Sequence, residues 1–481
     1  MANRSTKVFT NFIWRFAERS CAQIIQFVVT ILLARIITPK EYGVVALLMV
    51  VISIMTSFVN CGLGTALVQK KDADELDFST VFYANVCFGG LLYVVLFFCA
   101  PAIALYYENT SLTPYLRVLG ISLIISSLYN VQQSYVSRNL IFKKFFYATL
   151  VGTIASGIIG IVMALSGYGV WALVAQNLSN NFFNTLMLWI TVKWRPRAIF
   201  SFKRFVSLFN YGYKLLLSSV IDKIYNSLRT LIIGKLYTLS ELAYYNKGHT
   251  FPSVIADNIS TSVDGVIFPV MSKAQDNKEE MKSMTRRAIQ VNTFVIAPCM
   301  MGLAFAATPI IRLLLTEKWM EAVPFMQIAC VTYMFYPIHM ANLNAIRAMG
   351  RSDIFLKLEI IKKAVGLAVI FATMRYGVLI MAYSGILTSV LSQIINSWPN
   401  KRLLNYGYLE QIKDILPNII LAVLMGVVVY CVEYLKLSDL LTVIIQIVVG
   451  AGTYIGLAFL TKNRSMEYTK NIFQNLLHKK S

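Results

Sequence analysis

The chain has 481 residues, of which 57% are hydrophobic and only 14% charged, and its mean hydropathy is +0.62; an ordinary soluble domain carries about 25% charged residues. This composition excludes a soluble globular enzyme and points to a membrane protein. The net charge of +21, from 44 Lys and Arg against 23 Asp and Glu, would suggest nucleic acid in a soluble chain, so the positions of the basic residues have to decide.

The first apolar run follows Arg15, Glu18 and Arg19 and has no small-residue cleavage site, so no signal peptide is expected to be removed. At about 20 apolar residues per crossing, spans fall near 10–34, 43–67, 79–106, 118–137, 146–166 and 169–192. A second set falls near 206–234, 242–271, 288–316, 323–346, 358–374 and 377–399, and a last pair near 415–435 and 438–461. The expectation is an all-α integral membrane protein of about 14 transmembrane helices. Pro39, the pair Gly167 and Gly169, Pro196, Gly350 and Gly407 punctuate the spans, as turn-forming residues do.

Alternate loops hold most of the basic residues: Lys70 and Lys71, Arg138 with Lys143 and Lys144, Lys193 to Arg204, Lys278 to Arg287, Arg347 with Arg351, and Lys401 with Arg402. The opposite loops hold few, among them Arg35, Lys235 and Lys436. By the positive-inside rule both termini are expected in the cytoplasm. The charge thus reports topology, and a nucleic-acid partner is not needed to explain it. The seven cysteines lie in apolar stretches without a Cys-x-x-Cys pair, so neither disulfides, a metal nor another cofactor is expected. Asp72-Ala73-Asp74 has the form of a glycosyltransferase metal motif, but no βαβ pattern surrounds it.

The stretch from Asn210 to Glu241 is apolar enough to cross a bilayer, yet it contains Lys214, Asp222, Lys223 and Arg229. A charge at a membrane helix centre costs roughly 2.5–3.5 kcal/mol even on lenient scales, so it normally faces protein or water. Lys214, Ser218, Asp222, Tyr225 and Arg229 recur at steps of three and four, which puts them on one helical stripe. Thr250, Ser253, Asp257, Thr261 and Asp264 form a similar stripe in the next span. Stripes of this kind suit a transporter cavity. Glu359, Lys362 and Lys363 sit within one turn near a cytoplasmic end, where a surface ion pair is expected.

Four matches suggest an internal duplication. Arg35, Thr38 and Glu41 correspond to Lys235, Thr238 and Glu241, and Gly62 and Lys70 to Gly265 and Lys273. Arg138, Ile141, Phe142 and Lys144 correspond to Arg351, Ile354, Phe355 and Lys357, and Tyr168-Gly169-Val170 to Tyr376-Gly377-Val378. The order is the same and the offsets are nearly constant, which predicts two six-helix lobes, 1–200 and 201–404, and two extra helices with a basic tail over 405–481. Repeats of this sort place a substrate site at their interface.

Leu33-Ala34-Arg35-Ile36-Ile37-Thr38-Pro39-Lys40-Glu41-Tyr42-Gly43, Gly62-Leu63-Gly64, Arg138-Asn139-Leu140-Ile141-Phe142-Lys143 and Gly169-Val170-Trp171-Ala172-Leu173 resemble the Wzx-type polysaccharide flippases of the multidrug/oligosaccharidyl-lipid/polysaccharide exporter superfamily. The resemblance covers nearly the whole chain. It implies two six-helix lobes around a central cavity and alternating-access export of undecaprenyl-pyrophosphate-linked oligosaccharide across a bacterial inner membrane, with membrane lipids and polysaccharide polymerase or assembly proteins as further partners. Its motifs lie mostly at helix ends and loops, so the contacts below rest on chemistry alone.

The head of such a lipid cannot cross hydrocarbon unaided, and Lys and Arg suit its pyrophosphate. The candidate cations are Arg15, Arg19, Lys214, Lys223 and Arg229; for each, the alternative is a local ion pair or a chain that snorkels to the surface. Glu18, Asp222, Asp257 and Asp264 are candidates for H+ or Na+ coupling, or for neutralising a buried cation. Asn177, Asn181, His339 and Gln393 are candidates for facing sugar, although amides in membrane helices also join helices. A drug or metabolite exporter of the same superfamily would favour an acidic cavity, and a membrane glycosyltransferase would need a larger outer domain. A peptidoglycan lipid-precursor flippase is the remaining alternative.

Overall fold

The computed structural model describes Trp14 and residues 21–470, and among them there are helices and no strands. Eight helices of the described residues are long and apolar enough to cross a membrane, and the protein is an all-α multi-pass membrane protein. Contacts divide the chain into two units, Met1–Leu242 and Ala243–Ser481.

The first unit contains α1 (Cys21–Ile36), α2 (Pro39–Asn60), α3 (Leu63–Gln69), α4 (Glu75–Tyr106), α5 (Leu112–Arg138), α6 (Lys143–Leu165), α7 (Val170–Thr191) and α8 (Phe202–Leu236). Thr38 starts α2 with a reciprocal box: its hydroxyl accepts from the Glu41 N–H, and its own N–H donates to the Glu41 carboxylate at 2.9 Å. Pro39 at the first position costs no hydrogen bond, because that N–H has no partner in a helix anyway. The expected single span over 43–67 is in fact α2 and α3, broken where Cys61 and Gly62 take left-handed backbone angles. Asp74 caps α4 and Asp77 returns the bond to its N–H. That geometry accounts for the Asp-x-Asp string as a helix start. Two apolar cores hold the unit, one around Leu33, Leu48 and Leu116 and one around Leu67, Phe78 and Trp194.

The second unit contains most of α9 (Leu239–Lys273), then α10 (Lys278–Phe305), α11 (Ala307–Leu315), α12 (Val323–Met334), α13 (Tyr336–Ala348), α14 (Ser352–Thr373), α15 (Val378–Leu403), α16 (Tyr408–Cys431) and α17 (Asp439–Leu460). Two expected spans are again interrupted. That over 288–316 divides at Ala306 and that over 323–346 at Phe335, with Pro309 and Pro337 just inside the helices that follow, where proline is tolerated. The last pair does not stand apart from this unit: Arg286 of α10 holds Asp414 of α16 at 2.5 Å, and Tyr454 of α17 donates to the Phe294 carbonyl at 3.0 Å. Likewise α8, expected to open a second lobe, groups by contacts with α2, α3 and α4.

One of the duplicated turns keeps its shape. Thr238 repeats the box of Thr38: its N–H reaches Glu241 at 3.0 Å, and each threonine hydroxyl reaches its glutamate at 2.7 Å. Gly169 and Gly377 both open their helices, α7 and α15, at positive φ, 52° and 107°, but their ψ angles of −119° and 155° differ, so this pair shares the need for glycine and not the conformation.

Candidate functional site

α8 is fastened at both ends and open between them. At its first turn Arg204 reaches Asp77 at 3.0 Å and Asp74 at 3.3 Å, and Lys70 reaches the same Asp77 at 2.6 Å. Asp77 is fully buried, so its charge depends on these two cations. Asp74, at the surface, has its carboxyl held below the usual range by the Asp77 backbone N–H and then by Arg204. About two turns further along the helix, Gly212 lies against the backbone of Gly62. At the far end Gly234 packs on Leu47, and Lys235 bonds Glu108 at 2.7 Å.

Between these points three rows run along the helix. Leu208, Gly212, Leu216 and Val220, at steps of four, form the packed row. Leu217, Ile221 and Ile224 form an exposed apolar row, with 55% of Ile221 accessible, which suits acyl chains. Lys214, Ser218, Asp222, Tyr225 and Arg229 form the third. Lys214 and Ser218 are exposed, whereas Asp222, Tyr225 and Arg229 are half-buried and each is engaged with a neighbour. The Lys214 ammonium lies 6.0 Å from the Tyr213 ring. Lys223 belongs elsewhere: three residues on from Val220 and seven from Leu216, it continues the packed row, at a point where that row is exposed. The sequence pattern grouped it with Lys214 and Arg229 as a cavity cation, and helical geometry separates it from them.

A polar recess of about 410 Å³ lies in the first unit between the end of α2, α3 and α5. Asn60, Thr65, Asn130, Gln133, Ser134 and Ser137 line it, with Gly62, Gly64 and Val68 completing the wall. No charged side chain is among them. Asn130 Nδ2 is buried there and has no hydrogen-bond partner among the described residues, and such groups are ordinarily satisfied. Asn130 and Gln133 are amides of the same kind as the candidates Asn177 and Gln393, and Thr65, Ser134 and Ser137 are of a type that also suits helix ends. The available signal was the three-and-four spacing of Asn130, Gln133, Ser134 and Ser137.

The remaining candidates divide. Arg15, Glu18 and Arg19 lie outside the described residues, as does the Asp264 side chain. Asn177 is half-buried and donates to the Leu173 carbonyl of its own helix at 2.8 Å. Asn181 is half-buried one turn on. Their neighbours Asn180 and Asn184 are used in packing: Asn180 donates to Ser156 at 3.1 Å, and Asn184 fills the space over Gly152.

In the second unit Asp257 is exposed, while the hydroxyls of Thr250, Ser253 and Thr261 bond to backbone carbonyls of their own helix. His339 Nδ1 lies 2.8 Å from Asn396 Nδ2, and the ring stacks on Tyr336. Gln393 is 1% exposed and bonds Ser389 and Tyr408. These bonds tie it to its own helix and to Tyr408 at the start of α16. Glu359 and Lys362 do form an ion pair, at 2.5 Å, but Lys362 is buried where a surface pair was expected. No group of three His, Cys, Asp or Glu able to hold a metal occurs among the described residues.

A family model described as "Polysaccharide biosynthesis protein" matches residues 32–324. The chain is similar to the succinoglycan biosynthesis transport protein ExoT of Rhizobium meliloti, 25% identical over 66% of this chain and 64% of that protein. It is also similar to the teichuronic acid biosynthesis protein TuaB of Bacillus subtilis, 22% identical over 95% of this chain and 96% of that one. The lipopolysaccharide biosynthesis protein WzxC of Escherichia coli is 21% identical over 82% and 83% of the two chains. Among solved structures, the lipid II flippase MurJ in an inward closed conformation matches with a TM-score of 0.77 at 17% identity, covering 96% of this chain and all of that one. An inward-facing multidrug resistance MATE family transporter of the MOP superfamily matches at 0.58, with 16% identity over 81% and 98% of the chains. These structures share the fold.

Proposed function

Because the chain belongs to the polysaccharide biosynthesis protein family, we propose that it flips undecaprenyl-pyrophosphate-linked oligosaccharide units of an O-antigen, capsule or exopolysaccharide across the bacterial inner membrane. The observation that carries this reading is the uncharged recess between α2, α3 and α5. Hydroxyls and amides are what sugar hydroxyls exchange hydrogen bonds with, and a volume of about 410 Å³ lies within the usual range of ligand sites. A cationic drug would call for a carboxylate, and none lines this recess. The polar row of α8 supplies Lys214 for the pyrophosphate, while its apolar row meets the lipid in which the polyprenyl tail already dissolves.

On this reading the protein is a transporter and catalyses no bond change. Both termini lie in the cytoplasm, nucleic acid is not a partner, and polymerase or assembly proteins receive the product. Alternating access is coupled to H+ or Na+ through carboxylates such as Asp222 and Asp257. The test is genetic and chemical. Deletion should trap lipid-linked oligosaccharide at the cytoplasmic face. Asn130→Leu and Lys214→Glu should each reach normal membrane levels and yet fail to restore surface polysaccharide. Full rescue by both would remove recess and α8 row from the substrate path.

A further inference from the structure

A second recess, of about 510 Å³, opens in the second unit between α10, α16 and the turn that follows α17. Lys413, Lys462 and Arg464 line it, and none of the three has an acidic partner among the described residues. The one carboxylate in the lining, Asp414, is already taken by Arg286 at 2.5 Å and by the Tyr406 hydroxyl at 2.8 Å, so the recess carries an uncompensated positive charge.

Its floor is built and self-satisfied. Asn418, fully buried, donates to the Gln290 carbonyl at 3.2 Å and to Ser465 Oγ at 3.1 Å, and accepts from Asn463 at 2.9 Å. Lys462 takes a left-handed φ of 47° there, and the Ser465 N–H closes the turn on Asn463 at 2.8 Å. The neutral polar groups of the floor are consumed by one another, which leaves the three cations as free donors. That suits a phosphate and offers little to a sugar.

An apolar rail leads away from the recess. Leu416, Ile420, Leu424 and Val427 are exposed along one side of α16, and Ile420 also lines the recess. At 1.5 Å per residue the rail is roughly 16 Å long, enough for much of an acyl chain within one leaflet. Basic pockets between membrane helices on the cytoplasmic side hold anionic headgroups, and the positive-inside rule puts this end there. We propose that the recess binds the phosphate headgroup of an anionic glycerophospholipid of the cytoplasmic leaflet, with one acyl chain laid along α16.

The full-length protein, purified in detergent, is titrated with phosphatidylglycerol, phosphatidylcholine, undecaprenyl phosphate and inorganic phosphate and read by native mass spectrometry. Phosphatidylglycerol should bind at least ten-fold tighter than phosphatidylcholine, and more weakly as salt rises. The triple variant Lys413→Gln, Lys462→Gln, Arg464→Gln should lose at least ten-fold in that affinity, whereas neutralising Lys273, Lys278 and Lys401 should not. Equal binding of the two phospholipids, a triple variant within two-fold of the parent, or displacement of phosphatidylglycerol by an equal concentration of undecaprenyl phosphate or of inorganic phosphate would overturn the proposal. Photoactivatable phosphatidylglycerol in vesicles of the unaltered protein gives a reading independent of variant folding. Labelling of 413–427 and 461–466 is expected, and labelling confined to other segments is the contrary result.

Discussion

Gly62→Ala is expected to destabilise the first unit and to shift α8. Gly62 has a φ of +65°, and a Cβ there would lie 2.9 Å from the Gly212 Cα and 3.0 Å from its carbonyl carbon, with the carbonyl oxygen closer still. Left-handed backbone costs a residue with a Cβ roughly 1–2 kcal/mol, and forcing a methyl into a packed contact costs roughly 1–3 kcal/mol more. The sum is about 2–5 kcal/mol. Gly212→Ala meets the same contact from the helix side, where its Cβ would lie 2.6 Å from the Cys61 carbonyl oxygen. It carries no left-handed penalty and regains about 1 kcal/mol of helix propensity, so it should cost about 0–2 kcal/mol. For a unit of this size Gly62→Ala should lower Tm by about 4 °C or more, and Gly212→Ala by clearly less. Thermal unfolding of the detergent-purified variants, compared at one scan rate because such unfolding is seldom reversible, measures the order. Equal Tm for Gly62→Ala and the parent, or a larger loss for Gly212→Ala, would refute the account of how α8 is held against α3.

Asp77→Asn should cost about 2 kcal/mol, below the roughly 3–5 kcal/mol of a fully buried broken pair because its partners Lys70 and Arg204 are 31% and 37% exposed; Arg204→Gln should cost less, since Lys70 still serves the carboxylate, and both are read by thermal unfolding. Asn130→Leu should leave Tm unchanged or raised, because Nδ2 has no described partner to lose, while export of labelled lipid-linked sugar falls. Glu108 has its carboxyl held below the usual glutamate range by the hydrogen bond from Lys235. The pair's contribution is therefore complete above the unfolded value of about 4.3 and disappears as pH falls through the lower folded value; hydrogen exchange of residues 105–112 should quicken on acidification in the parent and show less change in Glu108→Gln.

Helix positions were legible in the sequence because span length is set by the bilayer and turns by Gly and Pro: α4 to α7 begin and end within a few residues of the expected spans. The breaks inside three spans were not. A left-handed residue such as Cys61, or a junction such as Phe335, depends on what packs around it, and hydropathy averages over it. The polar row of α8 was legible because it follows helical period, and the same period shows why Lys223 falls off it. Gln393 and Asn130 are chemically alike in the sequence, yet one is bonded inside the helix packing and the other lines a recess and has a buried nitrogen with no partner among the described residues. Only the neighbours contributed by other helices distinguish them.

The duplicated turns mark the same boundary from the other side. Thr38 and Thr238 reproduce one geometry because the cap is complete within four residues, so copying the string copies the structure. The basic residue three positions upstream is not copied in the same sense: Lys235 reaches Glu108 at 2.7 Å, a partner more than a hundred residues away that the local string does not specify. Exchanging Thr238 and Glu241 for Ala should therefore weaken the start of α9 much as the same change at Thr38 and Glu41 weakens α2, by about 1 kcal/mol per cap. Exchanging Arg35 and Lys235 should have unequal effects, since Arg35 is exposed and Lys235 is half-buried. Equal Tm changes for that second pair would mean that the repeat preserves tertiary contacts as well as local ones.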